Sequence, residues 1–247
     1  MNTKDCYQQC VVSYIDILGF KNLVESQYVN QSMPIRQLLK TFLRVNKECS
    51  LVISKGPKPQ KVEIRFFSDC IVRLIPIEGK TDWEILQVLE FEAYELVMIQ
   101  MSLLEKGVFI RGCINMGEMY YNKRVFYGSA FNEAYLSESK KAFVPIIVVA
   151  DSLVKYLQAS VACSSFQILN LLQDIEHNNF NHSQTYLNYL LYMANCITHN
   201  SLERGKKFYE THNKVISKEL LTQSKSVNVL SKYLWLKEYH DHYGVFF

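Results

Sequence analysis

Two carboxylates are the residues here with the types and setting to do chemistry. Asp16 closes an apolar run (Cys10, Val11, Val12, Tyr14, Ile15) within the stretch SYIDILGF at 13–20. Asp69 lies in the tight junction Ser68-Asp69 between two apolar runs, KVEIRFF at 61–67 and CIVRLIP at 70–76. A lone carboxylate in apolar surroundings loses hydration that something must replace. Mg2+ and Mn2+ prefer a few carboxylates plus substrate oxygens to an all-protein cage. Two such cations can activate an attacking oxygen and neutralise a leaving pyrophosphate. The break at Gly19 turns the chain sharply after Asp16, so the N–H groups of Ile17, Leu18, Gly19 and Phe20 become candidates for phosphate oxygens. Lys21, just after that turn, is a further phosphate contact. Taken singly, Asp16 reads as a strand-end cap. With Asp69 as its mate, the two-metal reading is favoured.

The elements that must bring these acids together can be read in order. Residues 10–18 read as a buried strand and 20–28 as a short helix. Residues 33–53 place Ile35, Leu38, Leu39, Phe42, Leu43 and Val45 at helical spacing. SKGPKPQ at 54–60 is a loop. The runs 61–67 and 70–76 form a hairpin. A long amphipathic helix spans 82–105, with Trp83, Leu86, Leu89, Ala93, Leu96, Val97, Met101 and Leu104 on one side. GVFIRGCINMGEMYY at 107–121 is a strand, with a second hairpin arm at 124–127. A helix follows at 129–141, a strand at 144–149, and a helix at 151–158 capped by Asp151. This order is βαββαβ with additions, the α+β plan called ferredoxin-like. In that plan the first and third strands are central neighbours, so Asp16 and Asp69 can meet at one end of the sheet. From Ser164 the composition changes: 183–200 and 203–224 read as helices, and 226–247 is rich in aromatics. The expected organisation is a domain over 1–160 and a helical extension over 161–247 packed on it.

These motifs resemble the class III nucleotidyl cyclases. SYIDILGF is similar to their first metal motif, and IRFFSDCIV at 64–72 to their second, with Ser68 where a Gly is usual. VFIRGCINMGEMYY at 108–121 resembles their Arg-x-Gly-Ile-x-x-Gly strand, and FYGSAFNEAYLSES at 126–139 their Gly-x-x-x-Asn-x-Ala helix. The resemblance covers residues 10 to about 158. It implies a head-to-tail homodimer with two sites across the interface, and two Mn2+ or Mg2+ ions per site. Asp16, Ile17 and Asp69 would be the metal ligands. The opposite subunit would give the base-reading residues and Asn132, which would orient the ribose. The reaction would be attack of a ribose 3′-hydroxyl on the α-phosphate of a nucleoside triphosphate.

Three positions depart from the purine enzymes. The first base-reading position is Arg65, the second is Val125, and the transition-state Arg falls on Leu136. Lys140 continues the face of 132 and 136 by one helical turn, and is the candidate for the missing cation; a solvated surface lysine is the alternative. The narrower resemblance is to the bacterial Pycsar cyclases, the pyrimidine cyclases of antiphage defence. It rests on DILGF, on the Asn-x-Ala-Tyr-Leu helix leading to Val-Pro-Ile, and on KYLWLKEYHDHY at 232–243. It implies cyclic UMP or cyclic CMP as a signal to a separate effector, with UTP favoured on family frequency alone. A guanidinium at Arg65 suits the O2 or O4 carbonyl of a pyrimidine. A catalytically silent nucleotide-binding dimer and a purine cyclase are the rival readings.

Other residues weigh less. His240 and His242 flank Asp241, a pattern that more often packs than ligates metal. Arg111, between apolar neighbours, reads as one half of a structural ion pair sooner than as a phosphate contact. The tail aromatics from Tyr233 onward have no basic run beside them, so they read as a helix cap and not as a nucleic-acid platform. The net charge of +3 across 247 residues suits a small anion and falls short of a nucleic-acid binder. Seven cysteines with no C-x-x-C pair read as reduced core thiols of a cytosolic protein. No signal-like leader is expected, and no run approaches the ~18 apolar residues of a membrane span.

Overall fold

Strand β1 (Gln8–Ile17) is the axis of the sheet, because its run from Cys10 to Ile15, apolar but for Ser13, is buried on both faces. It pairs antiparallel with β3 (Cys70–Pro76) on one side and β4 (Ile110–Tyr121) on the other. The computed structural model describes residues 7–30, 34–52, 62–162, 172–177, 180–196, 202–221 and 227–244. β2 (Glu63–Phe67) adds to β3 through the tight turn at Ser68-Asp69. Ser68 takes the left-handed conformation there, φ 55°, a region that favours glycine over residues with a Cβ.

Beyond β4 come β6 (Ile147–Val149), then β8 (Phe180–Leu187) and β7 (Leu172–His177), while β5 (Phe126–Tyr127) pairs only with β4. The order β2-β3-β1-β4 within the first half is the ferredoxin-like arrangement, and the chain is α+β. The expected helix over 183–200 is corrected in part. Residues through Leu187 extend the sheet as half of a hairpin, and α6 (Tyr189–Cys196) follows it. The alternation in FNHSQTYL puts Tyr186 against Val148, and that pairing overrides the helical spacing further along. The loop at 54–60 lies outside the described residues, as does the end of the tail.

Helices α1 (Phe20–Asn30), α2 (Pro34–Val52) and α3 (Asp82–Leu104) separate β1 from the hairpin and the hairpin from β4. Thr81 and Glu84 start α3 with a reciprocal capping box. Trp83 is exposed, unlike the other apolar positions expected on that face. Beneath the sheet on the α3 side, Arg73 is completely buried. It bonds Glu92 at 2.7 Å through both Nε and Nη2, together with Glu95 and Asn46. Ser13 of β1 donates to the same Glu92 at 2.6 Å. Helix α4 (Ser129–Lys141) covers the other face of β1, where Tyr14 meets the rings of Phe131 and Tyr135. α5 (Asp151–Ala159) follows β6; its cap is Ala150, and Asp151 instead pairs with Lys141 at 2.5 Å. The chain continues into α7 (Leu202–Leu221) and α8 (Val227–Tyr243). No described helix is long and apolar enough to cross a membrane. Cys10, Cys70 and Cys113 are free and buried, as expected of core thiols.

Candidate active site

Asp16 stands one residue before the end of β1, and register fixes its neighbours. Cys70 of β3 pairs with it on one side and Arg111 of β4 on the other. Residues opposite one another in a sheet share a face, so Cys70, Asp16 and Arg111 line up beneath α4. The turn carrying Asp69 is pinned to the same end: its carbonyl accepts the Ile17 N–H at 2.9 Å. One oxygen each of Asp16 and Asp69 and the Cys70 sulfur lie within 4.8 Å of one another. The two acids therefore meet although they sit far apart in the chain.

The donor set suits a hard divalent cation. Two carboxylates share one ligand sphere, and the third member is a protonated thiol. Burial pushes the Cys70 thiol up to about 11, although its hydrogen bond to Tyr14 opposes the shift. The Tyr14 hydroxyl contacts that sulfur at 2.7 Å, and the sulfur approaches Asp69 Oδ1 at 3.5 Å. At neutral pH the oxygens would be the ligands of any such cation, and the thiol a neutral neighbour. Ile17 is buried, so only its carbonyl oxygen is available to a metal.

Arg111 turns the acid pair into a larger electrostatic cluster. Its Nε donates to Asp16 Oδ2 at 2.7 Å, and Glu138 Oε1 of α4 lies at the same distance from that nitrogen. The single Nε proton is aimed at Asp16, so Glu138 is held by charge. Nη1 donates to the Ala142 carbonyl at 3.2 Å. Glu138 is only 2% exposed. Burial raises its carboxyl above the usual range, and Arg111 opposes that rise. The ion-pair reading of Arg111 is correct, and its partner is the metal-site acid itself.

The other expected residues divide into groups. The N–H groups of Ile17 and Leu18 are already used, by Asp69 and by the Phe109 carbonyl at 3.0 Å. This corrects the expectation that all four donors face a phosphate. Gly19, at φ 74°, and Phe20 open α1, where first-turn N–H groups have no intrahelical acceptor. Lys21 is largely exposed and pairs with Glu25 at 3.8 Å, away from the acids. Arg65 donates to the Asn122 carbonyl at 3.0 Å and lies 3.7 Å from Glu63. Asn122 begins the turn whose Val125 carbonyl accepts its N–H, so the two positions expected to read the base come together. Asn132, Leu136 and Lys140 share the exposed face of α4, and none is bonded to Asp16 or Asp69 among the described residues. Glu138, on the inner face of the same helix, gave no sequence signal beyond a charge at a buried helical position.

Among the described residues His240 has no metal-like set of partners. It is 2% exposed, and its Nδ1 meets His212 Nδ1 at 2.9 Å.

No protein-family model and no curated protein matches the chain. Among solved structures, it is similar to a class III adenylyl cyclase-like ATP-binding protein from Pseudomonas aeruginosa. That match has 17% identity and a TM-score of 0.42, over 64% of this chain and 36% of that one. It is also similar to an adenylate/guanylate cyclase/hydrolase from Silicibacter pomeroyi. There the identity is 18% and the TM-score 0.42, over 73% of this chain and 95% of that one. The chain spans about a third of the length of the first. Likeness of that degree carries no functional argument, which falls to the site.

Proposed function

We propose that this chain is a metal-dependent nucleotide cyclase. The observation that carries the reading is the meeting of Asp16 and Asp69 within 4.8 Å at one end of the sheet. Asp16, Asp69 and the Ile17 carbonyl would hold two Mn2+ or Mg2+ ions, which supply charge neutralisation and polarisation at the phosphates. The chain's own groups do the rest. The first-turn N–H groups of Gly19 and Phe20 receive phosphate oxygens. From the second chain of the dimer, Arg65 offers donors to the base. Asn132 of the partner subunit orients the ribose. A bond forms between O3′ and Pα, the bond from Pα to the bridging oxygen breaks, pyrophosphate leaves, and the hydroxyl proton passes to solvent.

The substrate is a pyrimidine nucleotide, UTP ahead of CTP. Arg65 supports a pyrimidine without choosing between the two, and the exposed apolar Val125 offers a purine edge no hydrogen bond. On this reading residues 1–160 form the catalytic domain and 161–247 an extension of it. The protein is a cytoplasmic homodimer whose cyclic product signals to a separate effector in antiphage defence. Val125, Tyr127, Tyr135 and Leu136 are all exposed around β5 and α4; such a patch supports pairing through that face.

The test is incubation with UTP, CTP, ATP and GTP in Mn2+. The expected result is a cyclic pyrimidine monophosphate, abolished by Asp16→Ala and by Asp69→Ala. A cyclic purine product would overturn the base assignment, and absence of any cyclic product would overturn the cyclase. A second reading, nucleotide binding without turnover, draws on Arg111 already holding Asp16 and on Leu136 where a cation is wanted. Nucleotide binding without product would favour it.

A further inference from the structure

On α4, Leu136 stands where the proposed reaction wants a cation, and Lys140 lies one turn beyond it. The C-terminal helix supplies a cation from an unexpected side. Lys232, Leu236 and His240 are spaced by four on α8 and share one face. Leu236 and His240 are buried, 0% and 2% exposed, so Lys232 continues an inward stripe toward the start of the helix. Tyr233, beside it, packs edge-on against Phe109 at 5.8 Å. Phe109 is the residue whose carbonyl accepts the Leu18 N–H, two positions after Asp16. The first half of α8 therefore lies against the end of the sheet that carries the acids.

Lys232 is close enough to Asp16, Glu138 and Arg111 for all three charges to act on it, and Glu138 feels Lys232 in return. Its side chain is only partly exposed. Among the described residues no hydrogen bond or ion pair holds its ammonium. Burial is the main cause holding its pKa below the usual lysine range. An ammonium that is half-desolvated, unpaired and fixed beside a two-carboxylate site lacks an anion.

We infer that Lys232 is a substrate-binding residue that holds the polyphosphate of the nucleotide in its own subunit's site. It adds in cis a positive charge to the one that Lys140 would bring on the α4 face of the second chain. Asp16 is already matched by Arg111, and Glu138 lies against the same guanidinium. Lys232 is then the cation available to the β- and γ-phosphates. The inference rests on the cyclase reading for its substrate, but its site can be probed without turnover.

The experiment compares the full chain with Lys232→Met and Lys232→Arg. Binding of inorganic tripolyphosphate to the Mn2+-loaded protein is followed by calorimetry, and turnover of the four nucleoside triphosphates beside it. Loss of one charge-assisted contact should weaken tripolyphosphate about 10- to 100-fold in Lys232→Met. It should raise KM by a similar factor, leave the melting temperature unchanged, and be largely reversed in Lys232→Arg. Unaltered tripolyphosphate binding in Lys232→Met would overturn the inference. So would tighter Mn2+ binding with higher activity, because Lys232 would then be a plug on Asp16. If the wild type cyclises nothing, the cyclase reading falls alone and the tripolyphosphate comparison still decides the role of Lys232.

Discussion

Asp16 and Arg111 hold one another at 2.7 Å across β1 and β4, with Glu138 pressed against the same guanidinium nitrogen. One cation thus serves two acids, and one of those acids is almost wholly buried. Removing the cation leaves Glu138 with only the Ser139 hydroxyl at 3.2 Å and the charge of Lys232, which is the expensive way to break a buried pair. Arg111→Met should destabilise the fold by roughly 2–4 kcal/mol, read as a fall in urea midpoint. Arg111→Met combined with Glu138→Leu should recover part of that loss, because the orphaned charge goes with its partner. A double variant less stable than the single would remove Glu138 from the account. Asp16 and Asp69 were legible as candidates because acids in apolar runs need a reason. Arg111 was legible as half of an ion pair, but its partner was not. That partner depends on register, which the sequence leaves open until β1 and β4 are laid side by side.

Two elements carry the precision of the site. β1 and β4 approach so closely at Gly112 that a Cβ there would lie 2.4 Å from the Tyr14 carbonyl oxygen. That contact is backbone, so no side chain can rotate away. Gly112→Ala should force the strands apart beside the Asp16–Arg111 pair and cost at least about 2 kcal/mol; an unchanged melting temperature would show that the strands yield. The helix pair α7 and α8 answers to pH. His212 and His240 are both buried and meet Nδ1 to Nδ1 at 2.9 Å, so one donates, the other accepts, and two imidazolium rings cannot share the contact. Burial holds His212 down to about 3 and His240 down to about 4. Unfolded histidines protonate near their ordinary value of 6.5, so between that pH and about 4 the unfolded state binds more protons. Stability should fall as pH drops through this window, and His212→Phe should flatten the fall in a melting-temperature profile. A profile equally steep in that variant would place the acid sensitivity elsewhere. The first six strands and their helices were readable from period and turn residues. β7 and β8 were not, because β8 joins the sheet through β6, a short strand that offers one pairing, Val148 with Tyr186, and β7 joins it through β8. Lys232 was equally hidden: its place at the acids depends on how α8 docks, not on its neighbours in sequence.

At the scale of the whole molecule, one chain does not complete the proposed site. Asp16 and Asp69 lie on one end of the sheet, while Asn132 points to solvent on the outer face of α4. Glu138 on the inner face of that helix is tied to Arg111 and so to Asp16. Each chain would therefore lend its α4 face to a partner while anchoring that same helix to its own acids. A two-fold dimer gives two equivalent sites, each built from both chains. Asp16→Ala and Asn132→Ala should each be inactive when pure. In a mixed dimer, one site collects both lesions and the other collects neither. Equal amounts that exchange freely give mixed dimers half of the time, each with one intact site. Activity should then return to about one quarter of the wild-type value, measured as cyclic product after co-refolding or co-expression. If sedimentation shows dimers but the mixture stays inactive, Asn132 and Asp16 act within one chain, or not in one site at all, and the shared-site arrangement falls. If the mixture recovers, the exposed stripe of Asn132, Leu136 and Lys140 is an active-site wall for the neighbouring subunit, and its solvent exposure in the single chain is explained.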